Sequence, residues 1–330
     1  MVVLLLGLTD SLEPATPDTI RELQEQFGIA YETEDWPAAI QIGTHLARAS
    51  PAEGSSAYNL ACVYARSGDS KMALQWLRSS AEAGFSTSRL LATDPDLHLI
   101  RKETEFERIA ARVEENRLSH FEWFTAEARK ADPLVVLPDD YDPSKPAPLI
   151  VALHGRGADG RDVARVWQEV ARQRGAILVA PNAVRVLGGG YQWRFLDESV
   201  WLVTHTIASV AEKYAVDERK IMLTGFSQGA YIAMIAGMRQ PERYCGLVLA
   251  SGFYNPEDLA MPPLNQENPP RVQFLVGSED PSAQSYRQAI KALKAAGWNA
   301  RLRVYPGVGH TFPTRRKADL KRTLGFVCGF

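Results

Sequence analysis

One serine, one histidine and one acid carry the chemistry that stands out in this chain. Ser227 lies in KIMLTGFSQGAYIAMIAG, residues 220–237, between two glycines. GFSQG fits G-x-S-x-G, a turn in which a strand passes sharply into a helix and holds the serine exposed on a strained backbone. Five residues of that kind arise easily by chance, so the flanks have to carry the reading. KIMLT is strand-like, and Gln228, Gly229, Ala230 and Ala233 open a helix with small side chains where it must pass close to a sheet. An alcohol becomes a nucleophile only when a base takes its proton. Of the six histidines, His45, His98 and His120 fall in or beside a helical N-terminal half, and His205 sits within a helix well before the serine. His310, in VYPGVGHTFP, follows the last strand-like run on a loop of glycines and a proline. Asp280 in VQFLVGSEDPS directly follows an apolar run, 30 residues before His310, and can orient the imidazole and stabilise its charged form. Its neighbour Glu279 and the earlier Asp258 are alternatives for that acid.

Acyl chemistry at a serine also needs donors for a developing oxyanion. ALHGRGADGRD, at the end of an early strand, offers backbone N–H groups in a glycine-rich turn. Arg156 N–H and Gln228 N–H are the expected pair, with His154 and Gly155 shaping the turn and the substrate pocket beside it. The GRG turn lacks the Lys-Ser/Thr that a phosphate-cradling loop would carry. YQWRFLDE, residues 191–198, sets Tyr191 and Trp193 where they line the cleft or simply pack. None of this needs a cofactor or a metal.

These groups must be held by strands. LVVLP (134–138), PLIVALHG (148–155), ILVAPNA (177–183), KIMLTGF (220–226), GLVLASG (246–252), VQFLVGS (272–278) and ARLRVYPG (300–307) are short apolar runs, as expected of strands buried on both faces. Helical stretches such as GRDVARVWQEVARQRG and VWLVTHTIASVAEKYAV alternate with them. The alternation predicts an α/β unit with a doubly wound, mostly parallel sheet whose active groups sit where strands end. DPSKPAP (142–148) and NPEDLAMPPLNQENPP (255–270) read as surface connectors, and no insertion is long enough for a large lid.

Before about Arg117 the period is helical throughout. Thr16, Pro17 and Asp18 form a helix start. EDWPAAI (34–40) and GDSKMAL (68–74) repeat an acidic turn before a small residue, with Ala39 and Ala73 34 positions apart, the tetratricopeptide period. YNLACVYARSGDSKMALQWLRSSAEAGF, followed by LLATDPDLHLIRKETEFERIAARV, resembles tetratricopeptide-like helical domains attached to enzymes. The expected division is an all-α helical domain over 1–118 and a second domain over 119–330.

At 330 residues and 45% hydrophobic content the chain is long enough for two domains with substantial cores. Lys plus Arg (37) nearly balance Asp plus Glu (39), which gives no positive field for nucleic acid or an anionic membrane. Cys62, Cys245 and Cys328 are far apart and form no CxxC or Cys/His cluster, so three buried thiols are expected rather than a metal site or a disulfide framework. MVVLLLGL is apolar but lacks a basic start and is too short to span a bilayer. A cytoplasmic location follows as the expectation.

LHGRGADG, PNA, YQWRF, GFSQGA, GSED and GVGH, in that order, resemble the α/β-hydrolase superfamily, specifically its small carboxylesterase and phospholipase-like group, over about residues 130–330. The resemblance implies Ser227 as nucleophile, Asp280 as orienting acid, His310 as base and acid, and Arg156 and Gln228 as oxyanion donors. Family members often carry an apolar residue at the first of those two positions, whereas an arginine stands here. The activity implied is hydrolysis of a small-molecule carboxylic ester through an acyl-enzyme. A thioesterase, lysophospholipase or serine peptidase of the same fold is the alternative within enzymes. A protein-binding helical scaffold with an inactive hydrolase domain, engaging a partner or a second copy, is the alternative outside them.

Overall fold

The computed structural model describes residues 16–49, 54–256, 270–314 and 316–330. Asp258, the apolar start of the chain and most of the 255–270 connector lie outside them. The chain divides into two compact units, Met1–Trp123 and Phe124–Phe330.

The first unit is helical: α1 (Pro17–Glu32), α2 (Trp36–Ala49), α3 (Ser55–Arg66), α4 (Ser70–Glu82), α5 (Ser88–Thr93) and the beginning of α6 (Thr104–Lys130). Thr16 Oγ1 accepts from Thr19 N–H at 3.2 Å at the start of α1, and Asp69 accepts from Met72 N–H at 3.0 Å at the start of α4. Ala39 and Ala73 are both fully buried, and Gly43 lets the Phe27 and Leu60 side chains lie against the α2 backbone. The division between units falls between Trp123 and Phe124, inside α6, the helix that also contains 118/119. The helix runs on without a cap, proline or glycine, so no local signal marks that border.

The second unit is built on a seven-stranded sheet of β1 (Leu134–Val136), β2 (Ala147–Leu153), β3 (Ile177–Ala180), β6 (Val216–Phe226), β7 (Gly246–Ala250), β8 (Arg271–Gly277) and β9 (Ala300–Tyr305). Their order is β1-β3-β2-β6-β7-β8-β9, with β1 antiparallel to β3 and every other pairing parallel. A separate hairpin of β4 (Arg185–Leu187) and β5 (Gly190–Gln192) was not legible in the sequence. The remaining helices are α7 (Gly160–Gln173), α8 (Leu196–Lys213), α9 (Gln228–Arg239), α10 (Ser282–Ala295) and α11 (Lys317–Val327).

Alternation along the strands explains the apolar runs. Leu149, Val151, Leu153, Leu223, Leu249 and Phe274 face one core with residues of α8, α9 and α10. Ile150, Ala152, Met222, Val248 and Leu275 face the other with Trp167 of α7 and Leu324 of α11. Each central strand is covered on both sides, so both of its faces must be apolar. The chain leaves β2 for β3 in one direction and reaches β6 on the other side. Such a switch point is where a parallel sheet opens a crevice at its strand ends.

The cysteine expectation is corrected here. Cys245 and Cys328 form a disulfide, 83 residues apart in sequence, while Cys62 is a free buried thiol. Cys245 precedes β7 and Cys328 follows α11. A Cβ on Gly246 would meet the Val327 Cβ at 2.6 Å, which shows how closely the fold brings those two ends together. Nothing in the linear spacing carries that information. In the unfolded, unreduced protein, iodoacetamide should add one group, at Cys62, against three after reduction. Closing a loop of that length is worth up to about 4.5 kcal/mol, so Cys328→Ser should lower the thermal midpoint by several degrees, and an unchanged midpoint would show that the bridge adds nothing.

Candidate active site

The turn from β6 into α9 puts Ser227 at φ +53° and ψ −118°, a region that non-glycine residues occupy only when their surroundings impose it. Glycines make the turn sterically possible. A Cβ on Gly225 would lie 2.3 Å from the Gly229 carbonyl carbon, and one on Gly229 would lie 2.3 Å from the Leu153 carbonyl oxygen. The first turn of α9 is thereby pressed against the end of β2. Ser227 N–H donates to Ala250 O at 2.9 Å, which ties the turn to the end of β7.

Asp280 and His310 arrive from the neighbouring strand ends. Asp280 lies in the turn between β8 and α10 with its side chain fully buried. His310 lies on the loop after β9. That loop crosses over the end of β8, where a Cβ on Gly277 would lie 1.9 Å from Val308 O. Glu279 N–H donates to Val308 O at 3.0 Å, and Gly307 N–H donates to Ser278 Oγ at 3.0 Å. The result brings all three groups into line: His310 Nδ1 is 3.1 Å from both Asp280 oxygens, and His310 Nε2 is 2.9 Å from Ser227 Oγ. With Nδ1–H donating to the carboxylate, Nε2 is the acceptor for the serine proton. Glu279 is exposed and takes no part in this contact.

Burial acts to raise the Asp280 pKa. Hydrogen bonds from Ser282 N–H and Oγ, Ser251 and His310 outweigh it and hold the carboxyl below its ordinary value. A depressed carboxyl contributes stability above its unfolded pKa, about 3.9, and loses it as pH falls through the folded value. The stability deficit of Asp280→Asn, measured from urea midpoints, should therefore be larger at pH 7 than at pH 3. An equal deficit at both would exclude the ionised carboxylate as the group that organises this turn.

The turn after β2 supplies the other wall. Gly155 packs on the elbow, where an added Cβ would meet the Phe226 ring at 2.9 Å and Ser227 Cβ at 3.5 Å. The amides of Arg156 and Gln228 donate to no protein acceptor among the described residues. The β4–β5 hairpin clamps the turn, with Gly157 N–H donating to Tyr191 O at 2.8 Å and Tyr191 N–H to Ala158 O at 2.9 Å.

His154 and Trp193 are corrected as pocket-lining residues, because both are buried, at 0% and 3% exposure. Burial lowers the His154 pKa, against a raising contribution from its contact with the Gly155 carbonyl. Its neutral ring donates from Nδ1 to Gly155 O at 2.7 Å and accepts at Nε2 from Ala183 N–H at 3.1 Å. Trp193 Nε1–H donates to His154 O at 2.9 Å, and Gln228 Oε1 accepts from Trp193 N–H at 2.9 Å. Tyr191 is half-buried. Asn182, in the PNA motif, accepts from Gly160 N–H at 2.7 Å and helps begin α7. The sequence reading gave it no role, although the motif itself was visible.

Two other features lie apart from this constellation. A cleft of about 820 Å³, lined by residues including Ala211, Glu218, Arg243 and Tyr244, opens at the opposite ends of the strands, beside the disulfide, and holds no nucleophile paired with a base. In the helical unit Cys62, Asp94 and Asp96 bring three ligand-type atoms within 4.8 Å of one another. Protein donors already occupy these carboxylates: Tyr58 Oη–H to Asp94 at 2.6 Å, Arg66 to Asp96 at 3.2 Å, and Tyr31 Oη–H to Asp96. Burial raises the Cys62 thiol pKa strongly. The cluster is thus a satisfied hydrogen-bond network.

A parallel sheet with this strand order and an elbow between β6 and α9 defines an α/β-hydrolase fold. The chain belongs to the putative esterase family, whose model matches residues 128–328. It is 32% identical over 123 residues to feruloyl esterase C of Emericella nidulans, covering 35% of this chain and 44% of that one. It is 24% identical over 121 residues to the poly(3-hydroxybutyrate) depolymerase of Ralstonia pickettii, covering 32% and 25%. The matched stretches thus span less than half the length of these curated relatives. Among solved structures, an uncharacterized protein from Bacillus cereus shares the fold with a TM-score of 0.51 at 16% identity, covering 93% of this chain and 98% of that one.

Proposed function

We propose that the chain is a serine carboxylesterase working through Ser227, His310 and Asp280. The observation that carries this is His310 standing between the other two, within 2.9 Å of Ser227 Oγ and 3.1 Å of the Asp280 carboxylate. In this reading His310 Nε2 takes the Ser227 proton as Oγ attacks the ester carbonyl. The N–H groups of Arg156 and Gln228 receive the oxyanion at the start of α9, where the helix dipole also favours negative charge. Collapse expels the alcohol, protonated by His310, and leaves an acyl-serine. Water activated by the same imidazole then releases the acid. No cofactor is required by these steps.

The named relatives include proteins titled for feruloyl esters and for poly(3-hydroxybutyrate). We take feruloyl-type and short hydroxyacyl esters as the first substrates to compare with simple acetyl esters, longer acyl thioesters and a peptide amide. The helical pairs of the first unit suit a tetratricopeptide-like docking module for a protein partner or a second copy. Among the described residues no helix is long and apolar enough to cross a membrane. Cytoplasmic residence was the sequence expectation, but the Cys245–Cys328 bridge favours an oxidising compartment instead.

A fluorophosphonate probe should label Ser227 in the folded protein, and Ser227→Ala should abolish both labelling and p-nitrophenyl acetate turnover. Asp280→Asn should reduce turnover by about 10⁴. Folded protein that neither labels nor hydrolyses any of these esters would favour the inactive-scaffold alternative.

A further inference from the structure

β7 lies between the strand that delivers Ser227 and the strand that delivers Asp280, and its last residue is followed by Ser251 at φ +51°. Ser251 is 1% exposed. A serine held in the left-handed region is strained where glycine would not be. The backbone is pinned, with Ser251 N–H donating to Leu275 O at 2.9 Å on the β8 side. The next residue, Gly252, sits under the elbow, where an added Cβ would lie 3.1 Å from Ser227 O. Ser251 Oγ donates to Thr311 O at 3.1 Å, on the residue directly after His310. That bond ties the loop of the base to the end of β7.

We propose that Ser251 is a positioning residue for this site: its hydroxyl, aimed by the left-handed backbone at the end of β7, holds the His310 loop in place between the strand ends that carry Ser227 and Asp280. The inference rests on the serine-hydrolase reading above. Together with Ala250 O, which accepts from Ser227 N–H, it makes the end of β7 a common reference for the serine and the base. The titratable groups acting on Asp280 here are His310 from its loop and the Tyr286 hydroxyl from α10.

Removing the hydroxyl takes the donor from the Thr311 carbonyl and loosens the loop that carries His310. Ser251→Ala and Ser251→Gly should each lower kcat about tenfold with little change in KM. The glycine variant relieves the backbone strain, so a shared kinetic loss assigns the effect to the hydroxyl. Parental kcat in Ser251→Gly would overturn the proposal while leaving the esterase reading intact. Should the parent prove inactive on esters, the mobility of the His310 ring, followed by NMR relaxation, still decides. A more mobile ring in Ser251→Gly supports the positioning role even though the esterase reading fails, and an unchanged ring overturns it.

Discussion

The elbow at Ser227 depends on backbone meeting backbone. Gly229 lies where any Cβ would strike the Leu153 carbonyl, and Gly225 where one would strike Gly229. Only with both side chains missing can α9 begin hard against the end of β2. That contact fixes the serine at positive φ, points the first amides of α9 at the same space as the turn after β2, and leaves Oγ facing the histidine loop. A single added methyl group would push apart β2, β6 and α9 together.

The other parts of the site are held in the same manner, by main-chain contacts rather than by long side chains. Gly277 allows the 306–310 loop to cross β8, and the hairpin of β4 and β5 closes on the turn carrying Arg156 by paired backbone hydrogen bonds. Buried polar side chains complete the frame. His154, neutral and locked at both nitrogens, joins its own turn to Ala183, and Trp193 joins that turn to the Gln228 side chain. Such networks are rigid because each polar atom left unpaired in the interior would carry a desolvation penalty. At the far ends of the strands the Cys245–Cys328 bridge secures α11, the helix that follows the histidine loop.

Much of this was legible in the linear chain. All seven strands of the main sheet fall on the apolar runs; the central ones stand out because both of their faces are covered, whereas at the sheet edge β9 alternates arginines with apolar residues. Ser227, Asp280 and His310 stand out because each directly follows such a run. The β4–β5 hairpin escaped notice, since three-residue strands around GGG carry almost no pattern. Ser251 escaped because a serine after a strand looks ordinary until its φ is known.

The sequence by itself determined the alternation of elements, the turn chemistry at GFSQG and the order of serine, acid and base, because these depend on neighbours within a few residues. The tertiary structure alone decided which distant groups meet: a disulfide across 83 residues, a histidine buried beneath the site rather than lining it, and a serine hydroxyl that ties the end of β7 to the histidine loop. Local periodicity records which face of an element is buried. It does not record what is packed against that face, since contacts between distant segments follow from the closure of the whole sheet.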